Sequence, residues 1–506
     1  MIHFRLLPAL LCGSALIPVA ALADVTADDV LANMMAPARA FGFDVTAEPV
    51  RDGQDLSVES VVMTYALPLD GGEARIVTNG LNLSEQGDGS VRLSYPAPLT
   101  MQVSLSTPDT EEAFAATITY EGFDGRTIAT GTPGQVSYEG AYDEARFTLS
   151  DVTVPDESGF DMRMDGTMSG SSRYEITEGD VVKVVLSGVN DRMQFVSEIT
   201  DPAGAVTRAD QTMTGGTSGM EISIPAGQVD LLNLDDALRA GLMVVAQTAD
   251  IRVDSENVSR VEDVEIRQTT GYLMDSNDMT LGAEGLSLAG VYTDFVFEFL
   301  MPSDMPLPIS GEVARSEGRI TAPLTETDGA VPVSLRMTLE DLSVNDEIWT
   351  LFDPEAQLPR DPMTLVLDMA GEAALTRDPL DIMRMMDVDL MTESLGRIEN
   401  VVLNEFLLQA VGAEVTGEGA FEIDNDDYET FAGMPAPSGS VDLRVTGANG
   451  LLDRLVALGL LPEEQAMGTR MMLGMFGQAG EGEDVITSTI EVTEDGQVLA
   501  NGQRLR

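Results

Sequence analysis

Hydrophobic and polar residues alternate one by one along most of the chain, which is the pattern of half-buried β-strands. Residues 81–84 alternate in this way, a Gly-Asp-Gly turn follows at 87–89, and residues 91–95 carry the return strand. The same order of alternating run and short turn continues to about Ile224 and resumes at Ile251. Strands joined in sequence by short turns predict antiparallel meander sheets with one apolar face.

A few segments change to the helical period. Thr26 is a capping residue for a helix that runs toward Gly42, and acidic residues open a second helix over 231–245. A short helix is predicted next to Asn345, and a helical pair over 451–460 and 462–476. The chain therefore carries few helices beside many strands.

These elements predict a β-rich α+β fold, with long curved antiparallel meander sheets, a few flanking helices and an elongated body of two or three lobes. The predicted divisions are a helix and meander over 24–228, a middle β-rich lobe with two helices over 229–360, and a β-rich lobe with the helical pair over 361–506. The last of these ends in a hairpin that turns at 494–496. A closed barrel stays open as an alternative, because sequence fixes neither strand tilt nor shear.

The first 23 residues have the pattern of an export signal. Arg5 gives a positive start, residues 6–20 are mainly apolar, and Ala21-Leu22-Ala23 is a small-x-small cleavage site. Cleavage near Ala23 would leave a soluble periplasmic protein. The alternative is a retained membrane anchor.

The only histidine and the only cysteine, His3 and Cys12, both lie in this leader. A mature chain without imidazole or thiol lacks Ser-His and Cys-His nucleophiles and the usual zinc ligands. The formal net charge of −57 repels phosphate backbones, which excludes nucleic acid as a partner. The acidic surface is explained by solvation in a secreted protein.

We therefore predict no enzyme and no cofactor, and a carboxylate-only hydrolase stays open as the alternative. A Ser-Lys dyad would need Lys183, but Asp180 stands where the serine should be. Valines on both sides of Lys183 predict an exposed lysine on a strand instead.

An acidic tract is the one candidate metal site. Asp424, Asp426 and Asp427 supply oxygen atoms suited to calcium, but the tract lacks the spacing and the glycine of an EF-hand loop. Asx-rich turns that close a strand have the same composition, so this alternative is kept.

Methionine is clustered, and the single tryptophan lies close to a predicted helix. Flexible thioethers suit either a hydrophobic core or a surface that accepts acyl chains. We predict core packing for both methionine clusters, because Met471 and Met475 in the second cluster are four residues apart on a helix, and a core position for Trp349. The clusters are Met383, Met385 and Met386, and Met471, Met472 and Met475.

Six motifs stand out toward the end of the chain: residues 349–354 (WTLFDP), 358–362 (LPRDP), 412–421 (GAEVTGEGAF), 447–453 (GANGLLD), 459–466 (GLLPEEQA) and 500–504 (ANGQR). They are similar to the alphaproteobacterial exported family known as domain of unknown function 2125. The similarity covers most of the mature chain and is densest after Trp349. The resemblance implies an exported, periplasmic protein with no assigned activity, so it supplies no functional residues.

The motifs also have structural interpretations. Asp353-Pro354 ends a helix, and Gly417 and Gly419 suit a bulge or a close backbone approach. Asn449 and Gly450 are expected near the cap of the helix that follows them.

Two classes of function remain. The first is an envelope protein that binds or transfers a lipid or other amphiphile on an apolar sheet face, and the second is a structural or assembly protein that holds another envelope protein. The state of the apolar face separates them, because a filled face leaves no room for a ligand.

Overall fold

The computed structural model describes residues 24–67, 71–107, 110–122, 127–154, 159–227, 229–231, 233–261, 264–301, 307–381 and 394–505. The leader and the methionines at 383, 385 and 386 lie outside these residues. Of the described residues, 65% lie in strands and 12% in helices. The predicted β-rich fold is thus confirmed.

Five helices occur in the part of the chain that is described. They are α1 Ala27–Ala40, α2 Leu234–Arg239, α3 Asp346–Phe352, α4 Ala448–Ala457 and α5 Glu463–Phe476. Each is too short or too polar to span a bilayer.

The first strands are β1 Asp44–Asp52, β2 Asp55–Ala66, β3 Glu73–Glu85, β4 Val91–Ser94, β5 Leu99–Thr107, β6 Thr110–Glu121, β7 Thr127–Thr132, β8 Gln135–Thr153, β9 Asp161–Thr177, β10 Val181–Thr200, β11 Val206–Thr214 and β12 Thr217–Pro225. Those that follow are β13 Met243–Val261, β14 Val264–Gly282, β15 Gly285–Met301, β16 Leu307–Ala322, β17 Val331–Val344, β18 Met363–Leu375, β19 Gly396–Ala410, β20 Ala413–Asp424, β21 Ala436–Thr446, β22 Gln478–Ala479, β23 Val485–Val492, β24 Val498–Ala500 and β25 Gln503–Arg504.

Every pairing between these strands is antiparallel, and they form one sheet. From β13 to β21 each strand pairs with the next one along the chain. Earlier in the chain, β11 and β12 share the same two neighbours. Each of them pairs with one part of β10 on one side and with one part of β13 on the other. The predicted meander is confirmed, including the last hairpin between β23 and β24. The division into lobes stays a prediction.

The main core lies at the N-terminal end of the sheet. Helix α1 packs against β1, β2, β3, β8, β9, β10 and β12, and it begins with a capping box between Thr26 and Asp29. Val30 on α1 and Leu83, Leu93 and Ile224 on the sheet are completely buried. This helix therefore covers the apolar face at the N-terminal end of the sheet.

Helix α2 adds Ala237 and Leu238 to the same core. It is much shorter than the helix predicted over 231–245. Gly241 has a left-handed φ of 109°, which ends the helix, and β-branched Val244 and Val245 then continue in β13. The prediction of its length was wrong.

Aspartates with left-handed backbone interrupt several strands. Asp151, Asp250, Asp294 and Asp341 have φ values of 54°, 59°, 50° and 57°. Aspartate tolerates this conformation better than most side chains. An irregular residue inside a strand shifts the alternation of side chains between the two faces of the sheet. The faces of the residues after it can therefore not be predicted by continuing the alternation from the residues before it.

Candidate functional site

One row of side chains crosses the sheet on its apolar face. Residues paired directly across antiparallel strands point to the same face, so the registers define the row. Its members, one on each of β8, β9, β10 and β12 to β21 and on β23, are Tyr138, Tyr174, Leu186, Met220, Ala246, Met279, Leu288, Ile320, Leu335, Met369, Leu403, Gly419, Val441 and Ile490. At about 4.8 Å per strand, the row is about 60 Å long.

The covering of this row changes along its length. Tyr138 is completely buried, and its hydroxyl donates to Asn33 Oδ1 on α1 at 2.9 Å. From Leu186 to Ile490 each member keeps part of its surface exposed, and Ile320 is 40% exposed. Among the described residues, the core thus closes the face at its N-terminal end only.

Neighbouring rows continue the apolar surface. Tyr292 lies over Gly290, where a Cβ atom would come within 3.0 Å of its ring, and Met337 in the adjacent row is 49% exposed. Tyr272 stacks on Phe295 and meets Tyr292 edge-on, with ring centroids 5.8 and 5.7 Å apart. Glycines therefore make room for large rings on a face that stays partly open to solvent.

The opposite face is polar. Between β13 and β17 it forms a cleft of about 760 Å³ lined by carboxylates and hydroxyl groups, including Glu298. Arg252 pairs with Asp254 at 3.1 Å, and Arg267 with Glu256 at 2.8 Å. The sheet is thus amphipathic, with an apolar face and an acidic one.

Residues 322–505 match the family model described as an uncharacterized protein conserved in bacteria, DUF2125. The match covers 184 of the 506 residues, and we call residues 322–505 the DUF2125 region. It runs from the end of β16 to the C-terminus and includes every motif that carried the resemblance. No curated protein and no solved structure matches the chain.

The DUF2125 region carries an exposed methionine surface on α5. Met467, Met471, Met472 and Met475 are 64%, 65%, 52% and 54% exposed. The spacing of four residues places Met467, Met471 and Met475 on one side of the helix. The predicted core position of Met471, Met472 and Met475 was wrong, because only Ala466 on this helix is buried.

The end of α5 lies against the apolar face of the sheet. The Phe476 carbonyl accepts hydrogen bonds from Ser488 Oγ at 2.5 Å and Asn501 Nδ2 at 2.8 Å. A Cβ atom on Gly477 would come within 2.3 Å of the Ile486 side chain. Ile486 and Ser488 both belong to the apolar face of β23, so the methionine surface of α5 adjoins that face.

Trp349 lies on α3, a helix with no fully buried residue. Its ring packs on Phe352, with centroids 5.4 Å apart, and the Arg360 guanidinium lies 5.6 Å from its centroid. Trp349 is therefore half-buried, and the prediction of a core position was wrong. The helix ends at Phe352 before Asp353-Pro354, as predicted.

Other family motifs stabilise the backbone. Gly419 would place a Cβ atom 2.5 Å from the Ser440 carbonyl oxygen, which confirms the predicted close approach. Asp353 is completely buried and accepts from the Gln357 and Leu358 amides at 2.8 Å each.

Helix α4 is capped from a distant part of the chain. The Asp484 carboxylate accepts from the amides of Asn449 at 3.2 Å and Gly450 at 2.9 Å, and from Asn449 Nδ2 at 2.8 Å. The N-cap residue is Gly447, two residues before the predicted cap, and glycine has no side chain that could act as an acceptor. Asp484 supplies the negative charge that the helix N-terminus lacks.

We expect Asp484→Ala to lower the free energy of unfolding by about 2 kcal/mol, because the amides at the start of α4 lose their acceptor. Burial alone would raise the pKa of Asp484, but the hydrogen bonds from Gly450 and Asn449 outweigh it and hold the pKa below its usual range. The stabilisation is thus full above the pKa of an unfolded aspartate and is lost as pH falls through the lower folded pKa. Urea unfolding at pH 7 and pH 3 measures both effects. Exposed Glu483→Ala is the control, and an equal loss there would contradict the capping role.

The acidic tract that was the calcium candidate forms turns. Asp424 Oδ1 accepts from the Asp426 amide at 2.9 Å, and Asp427 accepts from the Glu429 and Thr430 amides at 2.9 and 3.0 Å. Within the ranges given above, no three carboxylates converge as metal ligands. These contacts are those of Asx turns.

Lys183 lies on β10 as predicted. Its Nζ pairs with Glu221 Oε1 at 2.7 Å, and its side chain is 46% exposed. The pair lies on the polar face, opposite Val182 and Val184.

Proposed function

We propose that this is a periplasmic, non-catalytic protein that binds or transfers an amphiphile, whose hydrocarbon part lies on the apolar face of the sheet. One observation carries the proposal: the apolar row continues for about 60 Å, but α1 covers only its beginning. Apolar side chains that remain partly exposed over so large an area are typical of a binding surface.

The type of ligand follows from the composition of the face. Leu, Ile, Met and aromatic side chains offer contact area without charge, which suits acyl chains of varied length. The polar face and the net charge of −57 keep the protein itself in water. The methionine surface of α5 adjoins the apolar face at Ile486, so it is the place where we expect the ligand to enter or leave.

The test combines two measurements. Lipid mass spectrometry of the protein recovered from its native envelope should find a bound amphiphile, and the emptied protein should take up a fluorescent fatty acid. Met337→Asp, which places a charge on the apolar face, should weaken this uptake about tenfold, because binding would then bury that charge.

Val296→Asp is the matched control. Val296 is 44% exposed, similar to Met337, but it lies on the polar face beside the acidic cleft. Its substitution should leave uptake unchanged. An empty protein that takes up no fatty acid, or an equal loss in both variants, would contradict the proposal.

A second candidate follows from the acidic cleft, which fits a basic segment of another envelope protein. Glu298→Lys would then abolish capture of that partner in cross-linking from whole cells and leave fatty acid uptake intact. Loss of uptake in Met337→Asp, with every cross-link kept in Glu298→Lys, would decide for the amphiphile.

A further inference from the structure

Helix α2 contains a buried carboxylate. Asp235 is 0% exposed, and within the described residues no group donates a hydrogen bond to either of its carboxylate oxygens. An ionised carboxylate in such a place is costly, because it loses its hydrogen bonds to water, and the nearby charge of Arg239 offsets only part of that loss. Burial therefore shifts the protonation equilibrium of this side chain toward its neutral form.

A distant segment of the chain, residues 376–381, docks at this point and is called the latch segment. Its Asp378 pairs with Arg239 on α2, and its Leu380 packs against the N-terminal core. Asp381 forms an isolated β-bridge with Asn233, the residue at the start of α2. The latch segment thus connects the DUF2125 region to the N-terminal core.

The charged groups around Asp235 are mainly acidic. On its own helix, Asp236 lies on the exposed side and Arg239 is engaged by Asp378 and, at 3.7 Å, by Asp236. The latch segment presents Asp378 and Asp381 from the other side, and both carboxylates disfavour a charge on Asp235. Burial comes first among the causes that raise the pKa of Asp235 to about 6, and Asp378 comes second.

Further charges lie at the margins of the contact. Asp230 forms a β-bridge with Asn233, and the Tyr65 hydroxyl lies 3.5 Å from its carboxylate. Arg377 is 9% exposed and donates to the Ser394 carbonyl at 3.1 Å. Asp230 and Arg377 thus each contact residues other than Asp235.

A proton is the simplest occupant of this place. Among the residues with known positions, no three carboxylates are arranged to hold a metal ion. A proton removes the charge of Asp235 and the repulsion from Asp378 and Asp381 together, without any change in packing.

We propose that protonation of Asp235 controls how firmly the latch segment docks on α2. The acid form stabilises the docked state, and the carboxylate loosens it. The docked state loses stability as pH rises from the ordinary aspartate pKa through the raised one, and it changes no further above that. The inference needs no ligand, so it is independent of the proposed function.

Hydrogen exchange measures the docking directly. Amide protection of residues 376–381 and of α2, corrected for the intrinsic dependence of exchange on pH, should fall about tenfold between pH 5 and pH 7.5. Asp235→Asn has nearly the same shape and no charge. In this variant the protection should be equal at both pH values.

Asp236→Asn is the matched control, because the Asp236 side chain is 75% exposed. It should keep the dependence on pH. The proposal is overturned if protection of the natural chain does not change with pH, or if both variants lose the dependence. It is also overturned if calcium chloride restores protection at pH 7.5 and a chelator removes it, because a metal ion would then be the occupant.

Discussion

Tyr138→Ala is expected to lower the free energy of unfolding by about 3–5 kcal/mol, the usual range for removing a large ring from a core. Tyr138 is completely buried and stacks on Tyr174, with ring centroids 4.5 Å apart. Its hydroxyl also satisfies Asn33, which is itself completely buried on α1. The substitution therefore opens a cavity and removes a hydrogen bond at the same place.

Two further substitutions separate these effects in urea unfolding followed by circular dichroism. Tyr138→Phe keeps the ring and should cost about 1–2 kcal/mol through the lost bond to Asn33. Tyr428→Ala removes a ring that is 49% exposed and should change stability by less than about 0.5 kcal/mol. If Tyr138→Ala were as mild as Tyr428→Ala, α1 would not be the cover of this face.

Gly80→Ala is expected to cost about 3 kcal/mol, although it adds only one methyl group. A Cβ atom at this position in β3 would lie 1.8 Å from the Val58 carbonyl oxygen and 2.8 Å from that of Glu59. A side chain could relieve such a clash by changing its rotamer, but backbone carbonyl oxygens cannot. The strands β2 and β3 would therefore have to separate.

Gly318→Ala is the control for this substitution. Gly318 also lies inside a strand, but a Cβ atom there would meet nothing within 4 Å. Its stability should change by less than about 1 kcal/mol, in either direction. Equal thermal shifts in the two alanine variants would show that loss of glycine itself, not the close approach at Gly80, decides the result.

The sequence predicted the strands well because their signal is local. Alternation at Leu81 and Leu83 needs no knowledge of any partner, and the Glu494-Asp495-Gly496 turn fixes its own hairpin. Thr26 likewise predicted the start of α1, because its side chain is a typical N-cap of a helix. In each of these elements, the residues that determine the local structure lie within a few positions of one another.

The candidate site could not be predicted in the same way. The apolar row joins residues as distant as Tyr138 and Ile490, and only the registers of all the strands between them place both on one line. Irregular positions such as Asp294 change the alternation within a strand, and no local pattern marked them. The methionines of α5 have the spacing of a core helix, but whether another element covers them depends on the rest of the fold.

The order of contacts along the chain has a consequence for how the protein folds. In hairpins such as β13–β14, the paired residues nearest the turn, Val261 and Val264, are separated by only two residues of the chain. Asn33, by contrast, donates to the Ile176 carbonyl 143 residues later. A chain that emerges N-terminus first must therefore keep the apolar side of α1 uncovered until β9 has followed it. Later strands can then add to the growing edge one at a time, each closing only a short loop.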